Sequence, residues 1–148
     1  MKVVMVINTT GLQYDDRLRK ESLMLQREGL DVEIVALEYA NQADVKLVYN
    51  GITARTISLR SRRWFAQSRI LWLKAIEMWT RLLHCVIKAQ PNIVWFHCIG
   101  MTGLAPFLIL LRKFGKLRLL VWDQHELPSD RLLNIQIFLR FFTFLLNG

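Results

Sequence analysis

Cysteine is scarce and makes no pattern. Cys85 and Cys98 are the only 2 in 148 residues, and neither pairs with the other or with His97 or His125 at a CxxC, HExxH or related spacing. A zinc centre or a dithiol redox site therefore finds no support. A secretory leader is missing too. Met1-Lys2 is followed by the apolar run Val3–Ile7, too brief for a signal core and without a small-residue cleavage site. Reduced thiols and a cytoplasmic location are the expectation. There is no GxGxxG fingerprint, no GxxxxGK[ST] phosphate loop and no GxSxG elbow, nor any internal repeat. Acid is thin, with 12 Asp+Glu against 20 Lys+Arg and a formal charge of +8. That excess favours phosphorylated ligands, nucleic acid or an anionic membrane face.

The longest apolar stretch, Leu132 to Leu146, is also too short to span a bilayer. At about 1.5 Å per residue it reaches roughly 25 Å or less, against a hydrocarbon core of about 30 Å. Gln136, Arg140, Thr143 and Asn147 fall on one of its helical stripes, so it reads as a buried or interfacial helix.

What is present is the material of one domain. The chain is 53% hydrophobic and 22% charged, enough for a sizeable core and too apolar for disorder. Val3 to Ile7 reads as a buried parallel strand that breaks into Asn8-Thr9-Thr10-Gly11. Asp15 and Asp16 open a helix through Glu28, with Leu18, Met24 and Leu25 apolar and Gly29 as its stop. Val32 to Leu37 and Ile52 to Leu59 follow as strands, joined by a linker-like stretch from Tyr39 to Asn50.

Trp64 to Ala89 is predicted to be a long amphipathic helix. Lys74, Glu77, Arg81, His84 and Lys88 mark one side, and Trp72, Ile76, Trp79, Leu83 and Val86 another. Asn92 to His97 is a strand, Thr102 to Phe114 a helix closed by Gly115, and Leu117 to Trp122 a strand. This alternation predicts an α/β fold, a Rossmann-like doubly wound parallel sheet.

In such sheets ligands bind beyond the carboxyl ends of the strands, which singles out four places. Asn8-Thr9-Thr10-Gly11 is either an anion cradle or a plain turn. Asp15-Asp16-Arg17 is either a helix cap or a ligand-facing group. His97, after the fourth strand, is either structural or a ligand contact. Asp123-Gln124-His125-Glu126, the densest polar cluster in an apolar half of the chain, is either a site or a structural turn. An imidazole there can bond a sugar hydroxyl or a phosphate, with a neighbouring carboxylate setting its tautomer. A fifth feature is basic: Arg60, Arg62, Arg63 and Arg69 surround Trp64, and Lys74, Arg81 and Lys88 continue the patch. It reads as a solvated face or as a seat on an anionic bilayer. Nucleic acid ranks behind both, for want of a binding module.

Three segments together resemble the N-terminal, acceptor-side half of a GT-B glycosyltransferase of the family 4 type. They are the strand and loop Lys2 to Gly11; Asp16-Arg17-Leu18-Arg19-Lys20-Glu21 running through Leu25 to Gly29-Leu30-Asp31-Val32; and Asp123-Gln124-His125-Glu126-Leu127, similar to a D-x-H-E-L strand ending. Pro91 to His97 resembles the strand that precedes that ending.

The resemblance implies that residues 1–148 are one domain of a metal-independent, hexosyltransferase-like enzyme. Its donor-binding C-terminal domain, with an E-x₇-E motif, is not in this sequence, so the chain alone is expected to be inactive. By the same likeness His125 would be catalytic, contacting the transferred sugar. Gly11 would face the donor phosphates, and Asp16, Arg17, His97, Asp123 and Glu126 would bind substrate. The implied partners are a nucleotide-sugar, needing no further cofactor, and a glycan or lipid-linked acceptor in cell-surface polysaccharide or glycolipid synthesis. Peripheral contact with the inner membrane face, through Arg60 to Lys74, is expected as well. Two alternatives stand beside this: a non-catalytic half-domain that docks on a separate donor-binding subunit, and a Rossmann-like nucleotide binder, for which Glu38 after the second strand speaks.

Overall fold

Val3, Val4, Met5, Val6 and Ile7 are all buried, as a strand covered on both sides requires. The computed structural model describes residues 1–9, 11–12, 15–38, 44–61, 71–97 and 103–123. The elements are β1 (Lys2–Thr9), α1 (Asp16–Arg27), β2 (Asp31–Glu38), β3 (Val45–Tyr49), β4 (Ile52–Ile57), α2 (Leu71–Ala89), β5 (Ile93–Phe96), α3 (Ala105–Lys113) and β6 (Leu119–Trp122). They build a six-stranded sheet in the order β3-β4-β2-β1-β5-β6. All neighbours are parallel except β3 with β4. The fold is the expected Rossmann-like α/β sheet.

Alternation along β1 divides the core between two layers. Val3, Met5 and Ile7 face α1, where Leu18 packs with Ile34 and Ala54. Val4 and Val6 face α2 and α3, packing with Leu82, Val86, Phe96 and Leu108. Burying each such side chain contributes about 1.5–3 kcal/mol. A charge is buried as well. Glu33 in β2 accepts ion pairs from Lys2 Nζ at 2.7 Å and Arg55 Nε at 2.6 Å, the pairing that a carboxylate under a helix requires.

Helix ends follow local chemistry. Asp15 caps α1, its carboxylate accepting from the Leu18 amide at 3.0 Å. Gly29 closes the helix at φ 75°, with the Leu30 amide bonded back to the Leu25 carbonyl at 3.1 Å. Pro106 lies within the first two residues of α3, where a missing N–H costs nothing.

Several expectations are corrected. The linker-like Tyr39 to Asn50 contains β3, the antiparallel edge strand. Asn50 and Gly51 adopt φ of 49° and 81°, the left-handed pair of a two-residue hairpin turn. The strand begun at Ile52 ends at Ile57, two residues short of Leu59. The strands at Asn92 and Leu117 are shorter too, spanning Ile93–Phe96 and Leu119–Trp122. Helix α2 is described from Leu71, so its expected start at Trp64 lies outside the described residues. Met24 is exposed, because α1 turns Leu18 and Ser22 inward instead. On the apolar side of α2, Trp72 and Ile76 are exposed, while Val86 is buried and Trp79 and Leu83 pack against the core. The sheet is met by Leu82, Val86 and Ala89, and α2 is apolar on a second side. Among the described residues no helix is long and apolar enough to cross a membrane; Leu132 to Leu146 lies outside them.

Candidate functional site

The chain runs outward from β1 to β2 and returns across β1 to β5, so strand order reverses at β1 and β5. In open α/β sheets ligands bind beyond the carboxyl ends of the strands at such a point. His97 directly follows β5 and Asp123 directly follows β6. Each is held by one more rung of the ladder: the His97 amide donates to the Val6 carbonyl at 3.1 Å, and the Asp123 amide to the Phe96 carbonyl at 3.0 Å. Arg17 and Glu21 come from the first two turns of α1, one turn apart and therefore on one face.

These four side chains meet. Arg17 Nε donates to Glu21 Oε1 at 2.8 Å, and Arg17 Nη2 donates to Asp123 Oδ2. The His97 ring sits between the two acids. Its Nδ1 is 3.4 Å from Asp123 Oδ2 and its Nε2 is 3.6 Å from Glu21 Oε2. Only 4% of the His97 side chain is exposed, against 39% of Arg17. The imidazole is thus the floor of the cluster and the guanidinium its solvent-facing rim. Trp95 stacks on His97 with ring centroids 5.6 Å apart and planes inclined at 11°, fixing the ring from below.

The chemistry of this arrangement follows from its donors and acceptors. Arg17 bridges two carboxylates and holds both in place. A carboxylate oxygen lies beside each nitrogen of His97, so a proton on either ring nitrogen has an acceptor nearby. Glu21, His97 and Asp123 offer ligand atoms within 4.8 Å of one another, a convergence that no sequence spacing reveals. Arg17 already supplies a cation to both acids there.

The other sequence candidates are distributed differently. Gly11 is buried in the loop after β1, and its amide donates to Thr9 Oγ1 at 3.3 Å. Asp16 is exposed and accepts from Arg19 at 2.9 Å, on a different side of α1 from the cluster. His125 and Glu126 lie outside the described residues, as do Arg62, Arg63, Trp64 and Arg69. Arg60 is exposed, and its backbone amide donates to Glu77 Oε1 at 2.8 Å. Lys74 sits half-buried in the first turn of α2. Glu21 was not singled out as a site residue, although its spacing of four from Arg17 carried the signal.

Burial shifts a few groups elsewhere. It would raise the Glu77 carboxyl, but the Ser61 hydroxyl and amide, the Arg60 amide and the Arg81 charge together hold it below its ordinary value. Burial and the nearby Asp15 charge push the Tyr49 phenol up, where its hydroxyl donates to the Asp15 carbonyl at 3.4 Å. Burial likewise raises the Cys85 thiol, as expected of an inert, reduced cysteine.

No protein-family model and no curated protein sequence matches the chain. Solved structures do match. The chain is similar to the catalytic domain of starch synthase IV from Arabidopsis thaliana, at 15% identity and a TM-score of 0.61, covering 85% of this chain and 34% of that one. It is similar to an alpha,alpha-trehalose-phosphate synthase (UDP-forming) from Burkholderia vietnamiensis, at 15% identity and a TM-score of 0.57, covering 91% and 35%. A sucrose-phosphate synthase structure from Thermosynechococcus elongatus matches at 11% identity and a TM-score of 0.52, covering 83% and 64%. The fold is that of one GT-B half. The chain spans about a third of the starch synthase and trehalose-phosphate synthase chains it matches.

Proposed function

We propose that this GT-B half is the acceptor-side domain of a family 4-like glycosyltransferase. It works with a donor-binding half to move a sugar from a nucleotide-sugar to a glycan or lipid-linked acceptor in cell-surface polysaccharide or glycolipid synthesis. The observation that carries this reading is the cluster of Arg17, Glu21, His97 and Asp123 at the switch point of the sheet. The segments that resemble the family in sequence are the ones that converge there. A half-sheet neighbour relation supports the same fold, and structures similar to this chain were solved with ADP or with UDP-2-fluoro glucose.

In this reading the cluster positions and His125 reacts. His125 follows Asp123 by two residues in sequence, and Arg17 clamps Asp123 to α1. Anchoring Asp123 anchors the chain from which His125 follows; in this reading the His125 imidazole contacts the transferred sugar and Glu126 bonds the same sugar. Arg17 presents its outer edge to substrate, because its guanidinium is the exposed member of the cluster. Gly11, in the loop after β1, is the group proposed to face the donor phosphates. The chemistry needs no bound metal in this scheme, since the charges at the site are side chains.

The test uses the complete native protein with a panel of nucleotide-sugars and a lipid extract of its own cells, following release of nucleoside diphosphate. Release with at least one donor is expected, falling by about 10²-fold in His125→Ala with folding unchanged. No release and no donor binding with any member of the panel would remove the transferase reading. Donor binding that appears only after a second polypeptide is added would favour the docking half-domain instead.

A further inference from the structure

Strands β5 and β6 read Ile-Val-Trp-Phe and Leu-Leu-Val-Trp, without the polar alternation of a strand that has one wet face. Parallel strands of this composition are covered on both sides, as β1 is. The described residues cover β5 and β6 on one side. Val94 and Phe96 are buried with Leu108 of α3, and Leu120 packs against them. On the opposite side Ile93 and Trp95 are only half-buried. The register sets Leu119 beside Ile93 and Val121 beside Trp95, and neighbours in register share a face. These four side chains therefore form one apolar surface, on which Leu119 is 44% exposed. Among the described residues α1 is the one helix on this side of the sheet, where Leu18 packs with residues of β1, β2 and β4. Helices α2 and α3 belong to the other layer.

We infer that this bare face of β5 and β6 is the seat of the chain's own Leu132 to Leu146 segment, lying on the sheet beside α1. The segment contains no Gly and no Pro, and from Ile135 onward its polar residues Gln136, Arg140 and Thr143 fall on one helical stripe. A helix so apolar needs cover over most of its surface. Ser129-Asp130, just before it, supply a helix start.

Position favours this seat over others. The chain leaves β6 at Trp122, and residues 124–131 reach up to about 28 Å when extended, enough to turn back over the strand just completed. On the other side of β5 that place is taken, because Leu108 fills it against Phe96. A tether this short gives an effective concentration of millimolar order, which a second copy or a separate partner does not match. The seat also anchors the far end of residues 124–131, so His125 and Glu126 lie in a stretch held at both ends, by Arg17 on Asp123 and by the docked segment. It stands whether or not the chain serves a transferase, because packing is read without donor or acceptor.

The experiment places the photo-cross-linking residue benzoylphenylalanine at Leu119 of the native full-length protein and, separately, at Ile109 of α3. Irradiation of dilute protein is followed by peptide mapping. The Leu119 probe is expected to join residues 132–146 of the same chain, and the Ile109 probe is not. An adduct to a second chain, to lipid or to any other stretch overturns the inference, as does capture of the segment from Ile109 alone. A second measurement serves where the probe disturbs folding. Leu119→Cys and Met24→Cys are made in a chain with Cys85→Ala and Cys98→Ser, and their native thiol-labelling rates are compared. The two positions are 44% and 53% exposed among the described residues, so a bare β6 face labels at nearly equal rates. Labelling at least about tenfold slower at Leu119→Cys, independent of protein concentration, is expected, since reactivity follows access. Equal rates, or protection that appears only as concentration rises, overturn it.

Discussion

Arg17 Nη2 donates directly to Asp123 Oδ2 across 106 residues of sequence, tying the first turn of α1 to the end of β6. Because one guanidinium reaches both Glu21 and Asp123, its geometry matters and not its charge alone. Arg17→Lys keeps the charge but loses the fork that reaches Glu21 and Asp123 together. On the proposed transferase reading, it should lower kcat/KM of the complete protein about 10²-fold, the scale of a misplaced reacting group. Asp123→Asn should do the same, and the double variant should be little worse than either. Steady-state kinetics on the three variants, with melting curves alongside, check this. Fully multiplicative losses would mean the two residues act apart.

Strands, helices and their order were legible because burial writes directly into periodicity. The continuous run Val3 to Ile7 and the stops at Gly29 and Gly115 fell where the structure has them. The edge strand β3 was not, because Val45 to Tyr49 lies at a sheet margin where only one face is covered and Lys46 and Val48 are exposed. The Asn50-Gly51 turn was the available signal. Helix α2 was legible only in part: it is apolar on two sides, and periodicity cannot say which of its apolar residues meet the sheet. The site was half legible. Placement after strands pointed to His97 and Asp123, whereas the convergence of Arg17 and Glu21 on them depends on where α1 lands.

Glu77 gives a pH dependence with a definite sign. Its carboxyl is held below the ordinary glutamate value, so ionised Glu77 stabilises the folded chain at neutral pH. That contribution is present above the unfolded-state value and is lost as pH falls through the lower folded-state value. Glu77→Gln should therefore destabilise at pH 7 and converge on the parent as the solution is acidified below the carboxylate range. Urea midpoints of parent and variant measured across that range give the answer; a gap that widens with acid would refute the assignment.

Burial separates two apolar residues of similar size. Leu108 in α3 is fully buried against Val86 and Phe96, while Met24 in α1 is 53% exposed. Leu108→Ala should cost about 2–5 kcal/mol. Met24→Ala should stay within about 0.5 kcal/mol, although the sequence counts Met24 with Leu18 among the apolar positions of this helix. Equilibrium denaturation of both variants distinguishes the two.

Gly103 meets the Trp79 indole so closely that a Cβ at this position would overlap the ring. Its φ is not in the left-handed region, so the demand for glycine here is steric. The contact brings the start of α3 against α2, beside a groove that Ile76, Leu83 and Phe107 also line. Gly103→Ala should therefore destabilise by about 1–3 kcal/mol, the usual scale of overpacking. Trp79→Leu removes the ring that the new methyl would strike. Adding Gly103→Ala to that variant should cost at least about 1 kcal/mol less than adding it to the parent, a coupling readable from a double-mutant cycle. Equal costs in the two backgrounds would place the strain elsewhere than at Trp79.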